Sequence, residues 1–450
     1  MAHREINIAV LGAGLAGIEV GRRLKEQGIE FTVLEKEARA GGLCRTMQTE
    51  SYHWDLGLHA MYSRHSQGEL YYRSLPLDYL HHKRNVKIYH SSKYGQNPYI
   101  LDYPFELGIN GMPLPEKIGC LVSTMFARLK YYRRQPNSLK EWISYYYGPI
   151  MARYFMLPYN RKIWNCPLSQ LSTSLVSSRV EPSPFFDLIK AFVGGHVVGR
   201  PHQSQYLYPR RGIQELIDHS IRDIMANVRL NTCVRAIQRQ NYKWVVQTSN
   251  GTDVSCDAII STIPLVEVLK MVSIDGLQSH YDALKWNNTC FVMIALERPS
   301  ALKILKDAHW VFFKKDEIFY RISMMNNLIG VSDPIIVAEI TEKDGASHGI
   351  QSDIENRVVD DLVSCGVINS VSEVNCSDVR RIEYTYPIPT VGLLDVKTHI
   401  KKTLASQGIF LFGRNGNWEY LNMDDIILSS REFIISFCDR ISQREFHHSH

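Results

Sequence analysis

Apolar positions come in two rhythms along the chain. Short unbroken β-branched runs open and close it, and long stretches with helical spacing fill its middle. Ile6–Leu11 is an apolar run that reads as a strand. Gly12-Ala13-Gly14-Leu15-Ala16-Gly17 follows, then a helical pattern through Leu24, with Gly28 where a helix would end. Phe31–Leu34 is a second short strand closed by Glu35, completing one βαβ unit. From about Leu107 to Lys190 the spacing predicts several helices, among them Glu116–Tyr132 and Ser138–Met156, the latter carrying Tyr145-Tyr146-Tyr147 as a core-facing stretch. Strands return at Ala258–Ile263, Cys290–Leu296, Pro334–Ala338 and Gly408–Phe412, and a striped helix runs over Asp424–Cys438. No internal repeat or low-complexity linker separates these blocks, so the domains interleave along the chain.

The first turn carries chemistry. A glycine triplet is weak evidence alone, but here a strand precedes it, a helix follows, and an acid ends the next strand. Gly12 permits the tight turn, Gly14 lets backbone N–H groups approach a pyrophosphate, and Gly17 lets the helix pack close on the strand. The helix N-terminus presents partial positive charge to phosphate. Glu35 would accept hydrogen bonds from ribose hydroxyls and disfavours a 2′-phosphate, so NADP does not fit.

Composition alters this picture little. At 45% hydrophobic and 22% charged, the 450 residues suffice for two or three domains with their own cores. The formal net charge of +5 is too mild to indicate nucleic acid, though it suits an anionic small substrate. No run of about 18 apolar residues predicts a membrane span, and the charged start MAHREINIAV lacks a signal peptide's apolar region, so a cytoplasmic location is expected. Nine scattered cysteines without CxxC spacing read as free thiols, and the FHHSH tail is too short to count as a metal site.

NAD and FAD share the glycine fingerprint, and later segments choose between them. Gly41-Gly42-Leu43-Cys44-Arg45, Asp55-Leu56-Gly57-Leu58-His59, Tyr208-Pro209-Arg210-Arg211-Gly212, Asp257–Pro264 and Phe412-Gly413-Arg414 occur in that order. They resemble the FAD-contacting segments of the amine-oxidase and protoporphyrinogen-oxidase superfamily. The resemblance implies FAD, and it places Gly12, Gly14, Leu15, Ala16, Gly17, Glu35, Lys36, Gly42, Leu43, Val234, Gly413, Arg414, Asn422 and Met423 along the cofactor. The implied fold is α/β: a discontinuous Rossmann-like FAD-binding domain (1–90, 205–265 and 405–445), a helical insert (107–190), and a mixed β-sheet substrate domain (91–106, 191–204 and 266–404).

Within that superfamily the middle of the chain resembles UDP-galactopyranose mutase, especially its eukaryotic-type members. The segments are Asp102–Glu106 with Met112–Glu116, Glu141-Trp142-Ile143, Phe155–Trp164, Phe319-Tyr320-Arg321 with Asn326, Tyr386–Thr390 and Gly413–Tyr420. The resemblance implies a ring contraction without net redox, in which N5 of the reduced flavin attacks the anomeric carbon and expels a nucleoside diphosphate. Catalytic roles then fall to His59 beside the flavin, to Arg179 and Arg321 clamping the diphosphate, and to Tyr386 and Tyr420 donating to the same oxygens. Tyr103, Phe105 and Glu106 would form the base pocket, and Asn160 and Trp164 would line the sugar site. The expected partners are a nucleotide-diphosphate sugar and an external reductant for the flavin, either NAD(P)H or a reductase.

Two departures stand out. Glu106 occupies the position of a glutamine, and a carboxylate cannot donate to a base carbonyl as an amide does, which puts uracil in doubt. Arg210-Arg211 replaces small residues beside the flavin segment. A rival reading is therefore an oxidase or dehydrogenase of the protoporphyrinogen-oxidase or amine-oxidase type. The oligomeric state is not readable from the sequence.

Overall fold

The computed structural model describes residues 6–90, 98–177, 183–194, 204–298, 305, 307–342 and 351–447. Arg179, expected to hold the diphosphate, lies outside the described residues.

The apolar runs at the two ends of the chain come together in one five-stranded sheet. Its order is Ile409–Leu411, Ala258–Ser261, Asn7–Leu11, Glu30–Leu34 and Val228–Arg229, and every pair is parallel. A central parallel strand is covered on both faces, which is why Ile8–Leu11 is apolar and buried throughout rather than alternating. One face is covered by helix Leu15–Glu26 and the long C-terminal helix Met423–His447, through Ile18, Leu24, Ile427 and Phe437. The other face is covered by helix Leu393–Gln407 and a three-stranded antiparallel ribbon over residues 234–256, around Val246, Ile400 and Leu404.

A second sheet has seven strands in the order Val374–Ile388, Lys285–Leu296, Ile335–Glu342, Arg321–Met324, Trp310–Phe312, Val86–His90 and Tyr99–Asp102. It is mixed, because Trp310–Phe312 runs parallel to Val86–His90 while the other pairs are antiparallel. This moves a boundary: Val86–His90, placed by sequence with the dinucleotide portion, is an inner strand of the mixed sheet. Its alternate side chains Val86 and Ile88 pack into that sheet's core, and this overrides its nearness in sequence to the first domain.

The helical insert contains Leu114–Lys130, Leu139–Met151, a π-helical turn over Ala152–Met156, Leu157–Trp164 and Phe185–Phe192. The expected single helix over 138–156 is broken at Gly148, whose φ of +71° kinks it ahead of Pro149. A Cβ at Gly148 would lie 2.3 Å from the Ser123 carbonyl, so the glycine also sets how closely the first two helices approach. Ser138 begins the second helix by accepting the Glu141 N–H, while Glu141 accepts the Asn137 N–H. Tyr147 is fully buried, and Tyr145 stacks on Tyr131 at 4.0 Å.

Candidate functional site

The Gly12–Gly17 turn is built as the sequence requires. Gly12 has φ +92°, and its N–H reaches the Leu34 carbonyl at 2.8 Å. A Cβ at Gly17 would sit 1.9 Å from the Gly12 carbonyl oxygen, so no side chain is possible there without moving the helix off the strand. Glu35 pins the loop by accepting the Ala13 N–H at 2.7 Å and the Glu37 N–H at 3.0 Å. Gly14 forms a bridge with Gly41, bringing the second glycine pair against the first. Leu15 and Ala16 are buried, and a Cβ on Gly413 would come within 2.5 Å of Ala16. Val234 is buried at the start of its strand, whereas Lys36 is exposed beside Glu37.

These residues fit a dinucleotide. Helix Leu15–Glu26 has no side-chain cap and no acid in its first turn, which leaves its leading N–H groups open to an anion. Beside Gly41 lies Arg45, whose buried Nε has no hydrogen-bond partner among the described residues. A half-buried cation with an unpaired Nε, close to an uncapped helix terminus, is suited to a diphosphate.

The loop after Asp55 lines a cavity through Leu56–Ala60. Asp55 is fully buried and accepts three hydrogen bonds: Thr46 Oγ1 at 2.5 Å, Tyr208 OH at 2.7 Å and the Ile213 N–H at 3.0 Å. It thereby ties two motifs more than 150 residues apart into one wall. Gly212, with φ +93°, is held so close that a Cβ would meet Thr46 Oγ1 at 2.3 Å. Burial raises the Asp55 carboxyl to about 6.

The cavity measures about 770 Å³. Its flavin-facing end, by the sequence expectation, is lined by Leu43, Leu56–Ala60, Asn422 and Met423. His59 Nε2 lies 3.0 Å from the Leu56 carbonyl, and burial, with Arg414 and Arg321 nearby, lowers its imidazole to about 4, so it is neutral near pH 7. The middle is an aromatic box. Tyr386 and Tyr420 stack at 5.4 Å, and Trp164 sits edge-on to both at 6.2 Å. Arg414 covers both tyrosine rings at 5.6 and 5.1 Å while donating to the Leu421 carbonyl. Burial, reinforced by Tyr420, pushes the Tyr386 hydroxyl up to about 12, so it remains a donor. Trp164 is positioned from below, because the Ile163 carbonyl accepts from Asn287 and Thr341 of the mixed sheet. Asn160 lines the same wall and donates to the Met156 carbonyl.

Arg321 lines the cavity but is not free. Its Nε and Nη2 form a bidentate pair with Glu339 at 2.7 and 2.6 Å, directly across the strand register. Glu339 is only 1% exposed. Its signal was present in the sequence as a lone acid inside the apolar run Ile335–Ile340, where a buried charge demands a partner. Arg64 and Arg84 also line the cavity without having been expected, and Arg84 lies over the Tyr103 ring at 5.4 Å. No local motif marks either of them, since tertiary packing alone brings them in.

At the far end, Tyr103 and Glu106 line the cavity together with Trp142, Tyr147, Ser183 and Asp187. Phe105 does not. It is fully buried, stacked on Phe155 at 5.1 Å and facing His90. The chain alternates sides here, so its neighbours face the cavity while it fills the core, which corrects the expectation that it walls a base. Glu106 is buried, accepts Ser183 Oγ at 3.1 Å, and has its carboxyl raised by burial.

A parallel sheet with an uncapped glycine turn, beside a cavity lined in part by the mixed sheet, is the architecture of a dinucleotide-binding protein. The chain belongs to the flavin containing amine oxidoreductase family, whose model matches residues 15–413. It is similar to the zeta-carotene-forming phytoene desaturase of Myxococcus xanthus, at 42% identity over 50 residues, 11% of this chain and 10% of that protein. The chain spans about a tenth of the length of the phytoene desaturase and protoporphyrinogen oxidase relatives it matches. Among solved structures it resembles a reduced UDP-galactopyranose mutase with a TM-score of 0.86 and 23% identity, over 96% of this chain and 93% of that one. It also resembles a putative protoporphyrinogen oxidase from Exiguobacterium sp. 255-15 with a TM-score of 0.75 and 16% identity, over 97% and 99% of the two chains. Among the described residues no helix is long and apolar enough to cross a membrane.

Proposed function

We propose that this flavoenzyme is a nucleotide-sugar pyranose–furanose mutase. The supporting observation is the convergence of Arg321, Arg414, Tyr386, Tyr420, Trp164 and Asn160 on one cavity, whose wall includes Leu43 next to the glycine pair that packs on Gly14. FAD would be held by the Gly12–Gly17 turn, Glu35, Arg45 and the Gly413 turn, and in its reduced form it supplies a nucleophile at the sugar's anomeric carbon.

The chain's own groups have distinct tasks. Arg414 and the remaining edge of Arg321 oppose charge that builds on a departing diphosphate. Tyr386 keeps its proton, and its hydroxyl and that of Tyr420 donate to the same oxygens. Trp164 and Asn160 orient the sugar and narrow the space for water. Neutral His59 braces the Leu56–Ala60 loop against the ring system. Arg179 completes the clamp in this reading.

Incubating dithionite-reduced enzyme with a panel of UDP-, dTDP-, CDP- and GDP-sugars should yield an isomer of unchanged mass without consumption of acceptor. No isomer from any donor ends the proposal. The second reading, a true oxidase, draws on the Arg321–Glu339 pair, which cancels one of the cavity's positive charges. In that case oxygen or another acceptor would be consumed in step with substrate.

A further inference from the structure

The helix Leu114–Lys130 is amphipathic in the wrong sense for a core element. Its buried positions are Glu116, Cys120, Thr124 and Ala127, which are small or polar. Its outward positions are Leu114, Ile118, Val122, Phe126 and Leu129, with Phe126 62% and Leu129 69% exposed. At 100° per residue these five fall within an arc of about 120°, so they form one continuous stripe. Helix Phe185–Phe192 packs beside it and adds Phe186, 76% exposed, and Ile189. Scattered exposed apolar residues are ordinary, but a continuous stripe on adjacent helices marks a contact surface. None of these apolar residues lines the cavity.

The charge around the stripe selects the occupant. Residues 107–190 hold eleven Lys and Arg against four Asp and Glu, an excess of +7, whereas the whole chain carries only +5. The exposed charges flanking the stripe are Lys130, Arg133, Arg134 and Lys190. Among the described residues, the acids of these two helices are not exposed: Glu116 is buried and bonded to Tyr99, and Asp187 is half-buried at the cavity wall. A second copy docked through the same patch would set this positive field against itself. An anionic lipid surface satisfies both features, with apolar side chains entering the headgroup boundary and cations meeting lipid phosphates. We propose that the outward face of helices 114–130 and 185–192 seats the enzyme on the surface of an anionic membrane.

The test uses full-length holoenzyme and sedimentation with two kinds of vesicle, phosphatidylcholine alone and phosphatidylcholine mixed with phosphatidylglycerol. The expected result is binding to the mixed vesicles that weakens as salt rises, with little binding to phosphatidylcholine alone. The double variant Phe126→Glu/Leu129→Glu should lose about tenfold or more of that binding. The triple variant Lys130→Gln/Arg133→Gln/Arg134→Gln keeps the stripe intact and should lose up to roughly a hundredfold. Flavin content and Tm, unchanged in both, establish that the variants are folded. Absence of binding to mixed vesicles overturns the proposal, as does equal, salt-insensitive binding to both vesicle types. A dimer in size-exclusion chromatography that Phe126→Glu/Leu129→Glu splits would also overturn it and assign the face to self-association.

Discussion

At the scale of single residues, the Arg321–Glu339 pair separates structure from chemistry. Removing Arg321 alone strands a carboxylate that is 1% exposed, so Arg321→Ala should cost roughly 3–5 kcal/mol in denaturant unfolding. Replacing both partners, as Arg321→Met/Glu339→Leu, removes the stranded charge and should restore stability to near the parent. Nucleoside-diphosphate binding, followed by titration calorimetry, should nonetheless remain lost if Arg321 faces the diphosphate. Recovered binding in the double variant would assign the arginine to the fold alone. Glu106 poses a second question. Its carboxyl accepts from Ser183, and an amide in its place could also donate to a carbonyl on the base. Glu106→Gln is expected to tighten UDP binding about tenfold relative to the parent, equivalent to one added hydrogen bond. Unchanged UDP affinity would place the base away from Glu106.

At the scale of elements, the first helix and first strand are locked by a single missing methyl group. Gly17→Ala would drive a Cβ into the Gly12 carbonyl at 1.9 Å, forcing the helix outward at a cost of roughly 1–3 kcal/mol. The same shift moves the helix N-terminus that would face the phosphates. The flavin-to-protein absorbance ratio of the purified variant should therefore fall together with its Tm, and full flavin retention would show that the cofactor tolerates the displacement. The elements themselves were largely readable. The apolar runs at 6–11, 31–34, 258–263 and 408–412 all became parallel strands, because a strand covered on both faces has little room for polar residues. The helix over 138–156 was over-extended, because helical periodicity continues across Gly148 even where its backbone turns left-handed.

At the scale of the whole molecule, buried histidines set an acid limit. Burial lowers His59 and His309 to about 4 and His90 to about 3, with Lys314 beside His90 adding to the effect. Each binds a proton near 6.5 when unfolded but stays neutral when folded, so the stability they confer is full above 6.5 and is lost as pH falls toward 4. Asp55, raised to about 6, acts in the opposite sense, gaining relative stability as pH falls from 6 toward 4. The histidines therefore dominate between pH 7 and 6. The guanidinium midpoint should drop over that interval, and His309→Gln should flatten the drop. A midpoint that rises on acidification would refute the assignment.

The sequence by itself determined the dinucleotide turn, its acid and the succession of strands and helices, since each depends on neighbours a few residues away. It also placed Tyr103, Glu106, Asn160, Trp164, Arg321, Tyr386, Tyr420 and Arg414 in segments that do line one cavity. Only the tertiary structure decided which side chains face inward. It turned Phe105 into the core, matched Glu339 to Arg321 across a strand register, brought Arg64 and Arg84 to the cavity wall, and moved Val86–His90 into the mixed sheet. The physical reason is that burial and charge pairing depend on contacts between segments far apart in the chain, which local spacing does not encode.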